Sequence, residues 1–141
     1  MYGVAEYGHA LIALAGLAAV QLVLGPVSAV RKTRAGLAPG AEPPADYADP
    51  AYRWHRAHGN LAESMGPFVA ATAAAMLAGA PAFWVNVFAS LFLLVRLALV
   101  AVHVAGVGKP DMSVRSFTYA GGWLMCLCLA YLAVKTVVLG G

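Results

Sequence analysis

Apolar residues fill four long stretches of this chain, and polar residues gather between them. The pattern predicts helices over about Tyr7–Val30, Tyr52–Gly79, Phe83–Ala105 and Val114–Leu139. At about 1.5 Å per residue, each can cross a hydrocarbon core about 30 Å thick. The runs are continuous rather than alternating, which argues against strands. The first is interrupted only by His9, Gln21, Pro26 and Ser28. The second opens on "YRWHRAHGNLAESMGPF" and qualifies only if that polar start lies at the interface or faces protein.

The connections differ in kind. "GAPA" is a short turn that makes the second and third helices antiparallel neighbours. "GVGKPDMS" stops the third helix with Gly and Pro, and Asp111 or Ser113 can cap the fourth. The loop at about 31–51, rich in Pro, Ala and Gly, is expected to be extended or mobile. There is no repeat and no sign of a second domain, so residues 1–141 are expected to form a single membrane domain.

Composition sharpens the class. The chain is 62% hydrophobic and 11% charged, with a mean hydropathy of +0.76. Soluble domains are nearer half apolar and a quarter charged. The expectation is an all-α integral membrane protein built as an antiparallel four-transmembrane-helix bundle. The net charge of +3 is small, and no nucleic-acid motif accompanies it, so no nucleic-acid partner is expected.

Arg31, Lys32, Arg34, Arg53 and Arg56 flank the first connection, and Lys109 and Arg115 the third. Lys135 alone lies near the opposite side. The positive-inside rule then puts both termini outside and the basic loops in the cytoplasm. Glu6, with no basic residue before the first apolar run, argues for a retained helix rather than a signal peptide. Cys126 and Cys128 point about 200° apart on a helix and read as small apolar-helix residues.

Arg56, Asn60 and Glu63 follow i, i+4, i+7 spacing and fall within about 60° on one helix face. Charged groups so far into an apolar helix should face a bundle interior or a wet cavity. The plainer alternative is a solvated helix end with snorkelling arginines. Arg96 stands inside the third helix, at a depth similar to Glu63. The two are expected to pair or share a network, and a purely structural salt bridge is the competing reading.

The fourth helix opens "SVRSFTYAGG". Arg115 and Ser116 lie in its first turn, where free N–H groups and the helix dipole favour an anion. Tyr119 shares the face of Arg115. An ordinary interfacial arginine is the alternative. Glutathione suits the combined set: its carboxylates pair with arginines and its ammonium with a carboxylate such as Glu63. Its thiolate is stabilised by a cation at a helix N-terminus. His103 ends the third helix on the same side and can enter this site. His55 and His58 form H-x-x-H, but no third ligand has a convincing spacing, and no metal site is expected.

"RAHGNLAESMGPF" together with "VRSFTY" resembles the MAPEG family, membrane-associated proteins in eicosanoid and glutathione metabolism, and within it the microsomal glutathione transferases. The resemblance covers nearly the whole chain, including the basic first loop and the arginine within the third helix. It implies a homotrimer with glutathione as co-substrate between neighbouring subunits near the cytoplasmic face. A lipophilic small molecule would enter from the membrane lipid. By position, Arg56, His58, Asn60 and Glu63 would bind glutathione, and Arg31 would reach it from a subunit interface. Arg115 would stabilise the thiolate with Ser116, while Tyr119 lines the site. His103 stands where some relatives have a tyrosine. Gly59 replaces a residue that is basic in some members, and Val30 replaces one of two paired arginines.

The expected function is a membrane-bound glutathione-dependent transferase or peroxidase acting on a lipophilic electrophile or hydroperoxide. The alternative is a non-catalytic lipid-binding or scaffold protein of the same family. A transporter fits less well, because the polar residues cluster at one end of the helices. The Ala, Gly and Pro content suggests a bacterial inner membrane, with the site facing the cytoplasm.

Overall fold

A computed structural model describes residues 3–38, 40–107 and 114–140. A short 3-10 turn, Val4–Tyr7, leads into α1 (Gly8–Arg34). Then follow α2 (Pro50–Leu77), α3 (Ala82–Ala105) and α4 (Val114–Leu139). No strand occurs among the described residues. Asp111 and Ser113, the expected caps of α4, and Lys109 lie outside them.

Local chemistry sets the helix ends. α1 runs four residues past Val30, so Arg31, Lys32 and Arg34 form its last turn instead of opening the loop. Long basic side chains favour helix, and cations are favoured at its C-terminal dipole. α2 starts at Pro50, two residues before Tyr52. The Asp49 carboxylate accepts from the Ala51 N–H at 2.8 Å, and proline is already shaped for a first helical position. α3 ends at Gly106, whose φ of +70° closes the helix. The Val107 N–H then bonds back to the Val102 carbonyl at 3.1 Å.

α2 packs against each of the other three helices. The core holds a stacked pair, Phe68 and Phe92, with ring centroids 4.0 Å apart. The same core holds Ala13, Ala75 and Ala89, all essentially inaccessible. Such small residues let helix backbones approach closely where lipid supplies no hydrophobic drive. At the far end, the Tyr7 hydroxyl donates to the Ala80 carbonyl at 2.6 Å. The Asn86 amide accepts from the Ala10 N–H and donates to the Glu6 carbonyl. These bonds fix the start of α1 to the α2–α3 turn and to α3.

Outward faces carry Ile12, Leu22, Leu94, Leu127, Val134 and Val137, all well exposed. Among the described residues, Val4–Arg34, Ala82–Ala105 and Val114–Leu139 are long and apolar enough to cross a membrane. α2 is not among them, because its first half carries Arg53, His55, Arg56, His58 and Glu63. The chain is an integral membrane protein of four helices.

Candidate functional site: a polar cavity between α2, α3 and α4

At the loop end of the bundle, a cavity of about 320 Å³ is lined by Tyr47, Arg56, Asn60, Glu63, His103, Arg115, Ser116 and Tyr119. Three helices and one loop residue contribute. Two guanidiniums face one carboxylate, so the lining is net positive.

Asn60 organises the α2 wall. It is buried, and its Nδ2 lies 2.6 Å from His103 Nε2. Because the amide oxygen of Asn60 takes the Arg56 hydrogen bond, its N–H is the group that faces His103. The amide oxygen of Asn60 accepts from Arg56 Nη2 at 3.3 Å. Arg56 also approaches Glu63 at 4.0 Å, with side chains 36% and 50% exposed. An ion pair this long and this wet holds little energy. Both charges are therefore available to a ligand at small cost.

Arg115, on the first turn of α4, is buried to 6% exposure. Its Cζ stands 3.7 Å above the Tyr47 ring centroid, a desolvated cation–π geometry. Tyr47 also stacks with His103 at 5.9 Å and meets Tyr52 edge-on at 5.1 Å. Arg53 fastens this part of the loop. Its Nη1 donates to the Tyr47 and Ala48 carbonyls at 2.8 and 3.0 Å, and its Nε donates to the Val104 carbonyl. These bonds tie Tyr47 and Ala48, the last part of the loop before α2, to the ends of α2 and α3.

The structure thus brings together seven of the nine residues singled out in the sequence: Arg56, Asn60, Glu63, His103, Arg115, Ser116 and Tyr119. Within one protomer the other two lie elsewhere. Arg31 is exposed, its Cζ 4.6 Å over the Trp54 ring. His58 is turned towards α1, where a Cβ on Gly25 would meet its Nε2 at 3.5 Å. Tyr47 is the lining residue that the sequence reading missed. The available signal was a large aromatic in a loop of small residues, two positions before an Asp-Pro helix start.

Arg96 does not pair directly with Glu63. It is 1% exposed and faces the bundle interior. Its guanidinium lies 5.0 Å from both the Phe92 and Tyr119 rings. None of its three nitrogens has a hydrogen-bond partner among the described residues. Gly122 makes the space: a Cβ there would fall 2.6 Å from Arg96 Nη2. Arg96 thereby backs Tyr119, which lines the cavity.

The model of the MAPEG family matches residues 10–135, which include every residue of this site. The chain belongs to the MAPEG family. No curated protein and no solved structure matches it. Membership makes it a membrane protein of the family concerned with glutathione and eicosanoid metabolism. MAPEG proteins include glutathione transferases and related enzymes, and also members without enzymatic activity.

Proposed function

We propose that this MAPEG protein binds glutathione in the α2–α3–α4 cavity and directs its thiolate onto a lipophilic electrophile or hydroperoxide. The observation that carries the reading is the charge pattern of one small cavity. Arg56 and Arg115 stand on different walls, with Glu63 beside Arg56. Glutathione offers a carboxylate to Arg56, an ammonium to Glu63 and a thiolate to Arg115, a complementary set. The volume lies at the small end of the range for small-molecule sites, roughly 300–1,000 Å³.

In this reading, Arg56 takes a glutathione carboxylate and Glu63 takes the ammonium. Asn60 fixes Arg56 and offers further hydrogen bonding. Arg115 lies next to the sulfur and favours the thiolate, with the Ser116 hydroxyl as a donor. For conjugation, the thiol proton passes to water. The sulfur lone pair then forms the bond to the electrophilic carbon, and the leaving group departs with its electron pair. Tyr119 and Tyr47 shape the mouth. Arg31 and His58 are not part of the set proposed within one protomer.

The family also motivates a homotrimer, and the Ala, Gly and Pro content a bacterial inner membrane, with the cavity on the cytoplasmic side. The basic residues at this end of the bundle support that orientation. The test is isothermal titration of the detergent-purified protein with glutathione, followed by turnover of a generic electrophile. Saturable binding and an Arg115→Ala variant slowed at saturating glutathione are expected. Absence of glutathione binding would favour a lipid-binding or scaffold role.

A further inference from the structure

A second cavity lies on the outer surface between α1 and α3, and the reading above does not use it. It measures about 470 Å³. Ala19, Val23 and Leu24 form one wall, Leu97 and Ala101 the other, and Trp54 closes the loop end. The small Ala19 and Ala101 hollow the groove between bulkier neighbours. No charged or hydrogen-bonding side chain lies within it apart from the Trp54 ring N–H.

Arg31 stands at its end. It lies seven residues beyond Leu24, two turns on along the same face of α1. Its guanidinium sits 4.6 Å above Trp54, the residue that closes the groove. The last turn of α1 carries Arg31, Lys32 and Arg34 and no acid. An exposed cation over an interfacial tryptophan thus caps an apolar channel. From Ala19 to Arg31 the helix rises about 18 Å. That is close to one leaflet, about half of a 30 Å hydrocarbon core.

We infer that the α1–α3 groove is a binding site for an anionic phospholipid, with one acyl chain along Ala19, Leu24 and Ala101 and the phosphate at Arg31. Dispersion and exclusion of mobile lipid favour the chain, and the guanidinium selects the charge of the headgroup. An anionic headgroup pairs with the exposed Arg31, and the last turn of α1 carries no acid that would compete for it. The groove shares no lining residue with the polar cavity of the same protomer, so loss of glutathione binding in that cavity leaves this inference standing.

The experiment is native mass spectrometry of the delipidated full chain. The protein is titrated in nonionic detergent with phosphatidylglycerol or phosphatidylcholine of matched acyl chains. The native chain is expected to retain phosphatidylglycerol at about fivefold lower lipid concentration, the effect of one cation near an anionic headgroup. Arg31→Gln is expected to remove the preference, whereas Arg34→Gln, one turn away, leaves it. Ala101→Trp, which fills the groove, is expected to lower retention of both lipids, with helix content checked by circular dichroism. Equal retention of the two lipids by the native chain would overturn the inference. So would a preference that survives Arg31→Gln, or one lost equally in Arg34→Gln. An Ala101→Trp variant that changes oligomer mass while keeping its lipid would make the groove a subunit contact instead.

Discussion

The Asn60 amide nitrogen and His103 Nε2 stand 2.6 Å apart across α2 and α3, inside a buried part of the bundle. This bond joins the two helices at the depth of the cavity and holds Asn60 in the orientation that meets Arg56. Asn60→Leu leaves the buried ring nitrogen without its amide partner. A loss of about 1–3 kcal/mol in stability is expected. The denaturation midpoint in detergent measures it. An unchanged midpoint would mean that the bond does not hold the helices together.

Gly122 and Arg96 are a matched pair. Gly122→Ala puts a methyl within 2.6–2.8 Å of a guanidinium wedged between Phe92 and Tyr119. Overpacking of this kind costs about 1–3 kcal/mol. In an Arg96→Leu background the added methyl meets no guanidinium, so the cost should shrink by more than about 0.5 kcal/mol. Additive effects in the double-variant cycle would show that the close approach is harmless.

Tyr47 supports Arg115 from below at 3.7 Å. Tyr47→Ala is expected to raise the KM for glutathione at least several-fold with little change in helix content, whereas Tyr47→Phe, which keeps the ring face, should behave nearly as the native protein. Equal loss in both variants would assign the effect to the hydroxyl.

Gly59 has open space around it: a Cβ there meets nothing within 4 Å. On the helical wheel it lies beside Glu63 and Arg56, at the edge of the polar stripe. Gly59→Arg should therefore fit, stabilise α2 by up to about 1 kcal/mol as a helix substitution, and tighten glutathione binding. Weaker binding at unchanged stability would place the peptide's carboxylates away from this edge.

The helices were readable because each apolar run is long and each break carries Gly, Pro or Asp. Arg56, Asn60 and Glu63 were readable as one wall because helical periodicity needs no tertiary information. The cross-chain meeting with Arg115 and His103 followed from depth, since helices 2, 3 and 4 all reach the same interface. Tyr47 was hidden because loop composition predicts freedom, whereas the Arg53 bonds to the carbonyls of residues 47 and 48 and the ring contacts with Arg115, His103 and Tyr52 hold it in place. The solitary burial of Arg96 was hidden too. Sequence depth suggested that it pairs or shares a network with Glu63; the direct pair does not form, and the space at Gly122 lets the guanidinium lie between two rings, one of them Tyr119 of the cavity that Glu63 also lines.

The central claim is that the α2–α3–α4 cavity holds glutathione through charges on opposite walls. Titration calorimetry of the native chain, Arg56→Ala and Arg115→Ala against glutathione tests it most directly. One saturable site in the native chain, weakened at least tenfold by each substitution with helix content retained, is the predicted result. No binding to the native chain, or equal affinity in all three proteins, would contradict it.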